Sequence, residues 1–427
     1  MQARDVQVAY ASGSLGTLTM AGGALTANSL ILTNANAYFV FDGGNLTTQT
    51  GLVSNGRSII VGNEGRTANW TMNSGLHQLG NELVLGNPSG STGTVFMTGG
   101  QLLTGGNPTY IGFDGVGRMT VTNGIWQAQI VYLGHNAGSS GSLTLGGVVS
   151  QSQALVVGEY GNGSVLMTGG QLVIPEGWYT LVGYYGTGQM TISNGTCLGY
   201  QARIGAYSGS QGTLTIAGGN SSLSDKIYIG YASSATGQVN ITGGNLTVAA
   251  GIFVGNSGVG TLTISGGVVT SPSPSYVGYN TNGVGTLRVA GGSFVGGDLH
   301  VGAQGQGQLV VSNGTATIGS YLYLADGPNS SGTITVNGGT LSVGTLIENN
   351  SAGSRVAIEV NGGLMQIAGD AYLGQTGTST VMITNGKLMA YGATYLGDSG
   401  VGTITVNGGT LNMANLQMYP RFGGQSH

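Results

Sequence analysis

The sequence predicts an all-β chain wound as a right-handed parallel β-helix (β-solenoid) of about 17 triangular coils, about 24 residues and three short strands each. Three observations carry this. Gly-Gly, Asn-Gly or Ser-Gly recurs with its second glycine at 23, 44, 75, 100, 124, 147, 170, 195, 219, 244, 267, 292, 314, 339, 363, 386 and 409. Residues between these markers alternate apolar and polar with period two, the pattern of half-buried strands, and no helical period occurs. The spacing is too short for a propeller blade, which takes roughly 40 residues and four strands, and it is not a multiple of six as a hexapeptide helix requires.

The clearest copy is Gly260-Thr-Leu-Thr-Ile-Ser-Gly-Gly-Val-Val269 with its answering Tyr276-Val277-Gly278. A first strand of this type, as in Gly212-Thr-Leu-Thr-Ile216, puts Leu214 and Ile216 on one side and Thr213 and Thr215 on the other. Glycine at the corner accepts a positive φ. A short second strand follows, as in Asn245-Leu-Thr-Val248, and then a third, such as Ile227-Tyr-Ile-Gly230 or Leu299-His-Val-Gly302. The chain opens with an alternating strand, Val6-Gln-Val-Ala-Tyr10, and a first full copy at 16–25. From Gly44 to Gly62 is 18 residues where 11 is usual, so about seven extra residues are expected to bulge as a loop at 47–57. A smaller insertion, Ile174-Pro-Glu-Gly-Trp-Tyr179, lengthens the coil after Gly170. The expected organisation is one continuous solenoid over 1–427 with a C-terminal tail at 414–427.

Only 6% of residues are charged, against about a quarter in ordinary soluble domains. A stacked coil repeats each position about every 4.8 Å, and like charges at that distance repel by roughly 1 kcal/mol even in water. Thr, Ser, Asn and Gln ladders avoid this. A low-charge exterior also favours association. A net charge of −4 with ten scattered basic residues excludes the clustered footprint of a nucleic-acid binder. No apolar run approaches the roughly 20 residues of a membrane helix. Cys197 is the single cysteine, so no intramolecular disulfide forms. Met1-Gln-Ala-Arg-Asp-Val lacks a signal-peptide apolar region, and a secreted product is expected to start downstream of a removed segment.

The combination Gly-x-Gly-Thr-Leu-Thr-Ile-Ser-Gly-Gly with a following Tyr-Val-Gly resembles the repeat shared by type V secretion (autotransporter) passengers and PEP-CTERM-associated proteins, over roughly 13–413. That resemblance implies an extracellular or bacterial cell-surface β-helix used in adhesion, matrix or display. The residues given carry neither a C-terminal membrane barrel nor a sorting tail, which turns the expectation toward a released or self-assembled product.

Enzymatic β-helices place paired acids on neighbouring coils, because glycosidic hydrolysis uses two carboxylates about 5 to 9 Å apart. The best such group here is Asp114, His135 and Glu159, weak catalytic candidates whose plain reading is a solvated turn. No cofactor motif and no metal-ligand cluster is read, since His77, His135, His300 and His427 lie far apart in the repeat. A row of third-strand centres is the stronger signal: Tyr110, Tyr132, Tyr228, Phe253, Tyr276, His300, Tyr323, Tyr372 and Tyr395. Their neighbours have the opposite phase, so these rings are expected to face outward as a ladder. The row either stabilises the stack or forms an interaction face for another copy or for extracellular glycans. Threonine pairs such as Thr261/Thr263 make no regular plane, because Asn240, Arg288, Val310 and Glu359 interrupt them.

A parallel solenoid ends in open strand edges. Val6, Val8 and Tyr10 at one end and Leu411, Met413, Leu416 and Met418 at the other look like ordinary coil residues, with Arg4, Asp5, Pro420 and Arg421 as weak gatekeepers. The expected function is therefore that of a non-enzymatic extracellular structural protein whose partner is itself, joined end to end into fibres or a surface matrix. The alternatives are the stalk or passenger of an adhesin that binds glycan or a host surface, and a glycan-degrading β-helix enzyme.

Overall fold

The computed structural model describes residues 1–348, 351–418 and 425–426. It is a parallel β-solenoid of about 17 turns with roughly 24 residues between stacked strands, and no helix occurs among the described residues. The chain divides into two compact units, Met1–Tyr200 with Ser210–Gly212, and Gln201–Gly209 with Thr213–His427. Each is built from the same three strand lanes, here called A, B and C in the order the chain meets them within a turn.

In the second unit, lane A strand Val259–Ile264 lies between Thr236–Ile241 and Val284–Val289, all parallel. Lane B strand Val268–Ser271 lies between Asn245–Val248 and Ser293–Gly296. Lane C strand Ser275–Val277 lies between Ile252–Val254 and Leu299–Val301. The first unit repeats this: Thr92–Met97 in lane A pairs with Thr67–Met72 and residues 116–121, and Thr109–Ile111 in lane C with Leu83–Leu85 and residues 131–133. Period two decides which side is core. Leu262, Ile264, Val269 and Val277 are buried, while Thr261 and Thr263 are only half-buried.

Glycine governs how tightly lane C meets lane A. Gly255 follows lane C at φ +67°, and a Cβ there would stand 2.2 Å from the Val284 carbonyl oxygen. Gly260, the second residue of its lane A strand, has no positive φ, yet a Cβ on it would sit 2.2 Å from the Gly255 nitrogen and 2.3 Å from the Ile229 carbonyl oxygen. Backbone rather than side chain fills that space, so no rotamer change relieves the clash. The Gly-x-Leu signature of the lane A strand thus records a close approach of two backbones. On the outside, equivalent asparagines of successive turns bond to each other, Asn69 Nδ2 to Asn45 Oδ1 and Asn245 Nδ2 to Asn220 Oδ1, both 2.9 Å. These uncharged ladders fill positions where repeated charges would repel.

Two sequence expectations fail for one reason, a slip of phase in the first turns. Gly44 pairs with Ala68 and so begins lane A; it is not the corner glycine after that lane. An interval of 18 residues from there to Gly62 is ordinary, the same as Gly260 to Gly278. The loop expected at 47–57 is therefore not an insertion: 47–53 complete the strand Ala37–Val53, and the chain turns only between Val53 and Ile59. Likewise the copy at 16–25 is out of phase. Its residues 16–20 pair with 37–41, and Phe41 carries the carbonyl that accepts from Gly62, which is lane C bonding. An alternating Thr-Leu-Thr-Met suits either lane, so the motif cannot fix its own position.

The insertion at 174–179 is present as a turn between Gln171–Val173 and Tyr179–Val182, closed by the Trp178 N–H on the Pro175 carbonyl at 3.2 Å. In the expected tail, residues 414–418 belong to the strand Thr410–Met418. Pro420 and Arg421 lie outside the described residues.

Gly260→Ala is expected to lower stability by at least about 2 kcal/mol, read from the urea midpoint by far-UV circular dichroism. Gly22→Ala, where an added Cβ meets nothing within 4 Å at ordinary φ, should change it by less than about 0.5 kcal/mol.

Candidate functional site

Lane C centres stack in register. In the second unit Tyr228, Phe253, Tyr276, His300 and Tyr323 are paired position for position. Their ring centroids are 4.8, 4.9, 4.6 and 4.5 Å apart in turn, with interplanar angles from 30° down to 11°. Ile347 takes the next place, and the column resumes with Tyr372 and Tyr395, stacked at 4.8 Å. In the first unit Tyr110 stacks on Tyr132 at 5.3 Å.

A second column, absent from the sequence expectation, stands three residues further on. Tyr231 packs edge-on to Tyr228, and Tyr279 edge-on to both Phe253 and Tyr276. Arg203 places its guanidinium 4.3 Å from the Tyr231 ring. In the first unit Phe113 and His135 play this part against Tyr110, at 5.1 and 4.6 Å. The recurring Ile229-Gly-Tyr231 and Val277-Gly-Tyr279 pattern is the signal that could have revealed it.

Because each ring covers its neighbour's face, the column offers mainly ring edges and phenol oxygens to solvent. Sugar stacking needs a free ring face, so the geometry favours stabilisation and edge contacts. Burial holds the phenols of Tyr110, Tyr132, Tyr228 and Tyr276 above their usual range.

The catalytic candidates separate into two columns. His135 and Glu159 occupy equivalent places in successive turns, and His135 Nδ1 meets Glu159 Oε2 at 2.5 Å. Asp114 belongs to the next column and accepts from Asn136 Nδ2 at 2.6 Å. A second histidine–carboxylate pair, His300 Nδ1 with an Asp326 carboxylate oxygen, recurs in the other unit. Both histidines lie against aromatic rings with one acid on Nδ1, and this repetition is what a structural fastening of the aromatic face looks like. Among the described residues no group of three His, Cys, Asp or Glu could hold a metal ion. Cys197 is buried, and burial pushes its thiol up to about 12, far from thiolate chemistry.

His77 lies elsewhere, inside the first unit. Trp70 Nε1 donates to Thr48 Oγ1 at 2.9 Å, and the same hydroxyl is hydrogen-bonded to His77 Nε2 at 2.8 Å. Burial lowers the His77 pKa to about 4.

At the edges, strand Gln2–Gln7 pairs with residues 26–31, Val8 is buried, and Tyr10 is exposed. At the other edge Leu411 and Met413 are half-buried while Leu416 and Met418 are 44% and 57% exposed. Their partners one turn earlier, Leu388, Ala390, Thr394 and Leu396, are all 3% exposed or less. Among the described residues no helix is long and apolar enough to cross a membrane, which says nothing of a β-barrel. Comparison with protein-family models, with curated proteins and with solved structures returns no match.

Since the folded state holds His77 neutral and the unfolded state titrates at 6.5, stability is full above pH 6.5 and falls as pH drops toward 4, by up to about 1.4 kcal/mol per pH unit. Urea midpoints between pH 7 and 4 should register this loss, and His77→Gln should remove that component of it.

Proposed function

We propose that this chain is a non-enzymatic structural β-solenoid that self-associates end to end into fibres or a surface matrix, in an extracellular or cell-surface setting. The observation that carries the reading is the exposure of apolar side chains along the strand Thr410–Met418. Leu411, Met413, Leu416 and Met418 occupy places that are core in the preceding turn, yet they remain partly or largely exposed. Apolar side chains above an open parallel edge recruit another strand layer of the same kind. Lane B supplies a register for that layer. Leu411 and Val6 hold the same core-facing lane B position, so Leu411 of one copy would lie against Val6 of the next, and Met413 against Val8. A head-to-tail contact of this type is heterologous and does not close, which generates filaments. A chain with only 6% charged residues offers little repulsion to such growth.

A second reading, an adhesin stalk or passenger of the type V secretion or PEP-CTERM-associated kind, draws support from the two-column aromatic face and its outward phenol oxygens. There the partner is a glycan or host surface that meets ring edges. The glycan-degrading reading is weakened because Asp114 bonds to Asn136 in the neighbouring column, while His135 and Glu159 bond to each other.

Negative-stain microscopy of the purified chain should reveal filaments that lengthen with concentration. Leu416→Lys with Met418→Lys should shorten or abolish them and leave the far-UV spectrum unchanged. Monodisperse single particles from the unmodified chain at high concentration would contradict the proposal.

A further inference from the structure

Glu348 ends the strand Thr340–Glu348 on an inward place of lane C, where the previous turn has the fully buried Leu324. The side chain is 2% exposed. Its Oε2 accepts the Gly374 backbone N–H and its Oε1 the Ser379 hydroxyl, each at 2.7 Å. At the same point of other turns that backbone N–H bonds to a main-chain carbonyl one turn earlier: Gly278 to Val254, Gly302 to Val277 and Gly397 to Leu373, at 2.7–2.9 Å. Here the carboxyl group has taken over a ladder bond, and the described lane C pairing stops at Ile347 with Tyr372. The lane A glycine of the corner is also replaced, by Val356 and then Ser379, between Gly332 and Gly402. The serine is what brings a hydroxyl within reach of the acid.

We propose that Glu348 is a pH-sensitive latch between two turns of the second unit, closed while its carboxyl group is protonated and released, at residues 371–379, when that group ionises. An ionised carboxylate inside apolar turns draws in water or leaves the core. Burial pushes the group up from 4.5 to about 7, although the Gly374 and Ser379 bonds pull the other way. No charged neighbour contributes. Tyr321 and Tyr323 on Thr315–Leu324, Arg355 and Glu359 on Arg355–Val360, and Tyr372 on Ala371–Leu373 all occupy non-buried places of their strands, Thr378–Ile383 and Ser331–Val336 carry no titratable side chain, and Asp326 is bonded to His300. The folded turn holds the proton more tightly than the unfolded chain does. Its support for closure is therefore complete below pH 4.5 and is lost as pH rises through about 7.

Hydrogen–deuterium exchange of the full chain tests this, read on peptides covering 366–383 and corrected for the intrinsic pH dependence of exchange. The local opening constant should rise about tenfold per pH unit between 4.5 and 7 and then level off. Glu348→Gln should remove the pH dependence. Ser379→Ala, which deletes a donor to the carboxylate, should move the midpoint to higher pH. Flat protection across pH in the unmodified chain, or an unaltered profile in Glu348→Gln, would overturn the proposal. Should Glu348→Gln not fold, an unmoved midpoint in Ser379→Ala overturns it equally.

Discussion

The close approach of lanes C and A at a corner that is glycine in most turns is the constraint on which those turns depend. Parallel strands one turn apart must hold their backbones at hydrogen-bonding distance along three lanes at once. The corner between Gly255 and Gly260 leaves no room for a side chain in either direction. The abundance of glycine in this chain, 86 residues, is thus a packing requirement as well as a turn requirement. Each turn buries a thin layer of Leu, Ile and Val that has little value alone and acquires it from the layers on either side.

Stacking equal positions also decides what the surface can hold. Amides tolerate repetition because one residue's N–H bonds the next residue's oxygen, as Asn69 does to Asn45. Rings tolerate it because their faces meet, as from Tyr228 to Tyr323. Charges do not. Where an ionisable group enters a column, it comes with a complementary one, as His135 with Glu159 and His300 with Asp326. Where it enters the core, its neutral form is favoured, as for His77 and Glu348.

Much of this was legible in the sequence. The repeat length, the three strands and the inward and outward faces follow from period-two alternation and recurrent glycine, as does the register of the lane C aromatic row. Phase was not legible in the first turns, because Gly16-Thr-Leu-Thr-Met20 reads equally well in lane A or lane C and only its pairing with 37–41 decides. The second aromatic column was present as Gly-Tyr at Tyr231 and Tyr279, but turn residues carry no alternation to announce their direction. Asp114 and Glu159 read as one group with His135, yet a one-residue offset in the turn sends them into different columns. Glu348 was invisible for a related reason: an acid beside a glycine-poor corner reads as surface until its burial is known.

The proposed assembly extends the same turn-on-turn contact from one molecule to the next, with lane B as the thread. Disulfide trapping tests it most directly, in a chain carrying Val6→Cys and Leu411→Cys, with the native Cys197 buried. Parallel partner positions lie within the reach of a disulfide. Oxidation of assembled protein should then yield a ladder of covalent multimers on a non-reducing gel. Multimers no more abundant than those of either single-cysteine variant would contradict continuous stacking between copies.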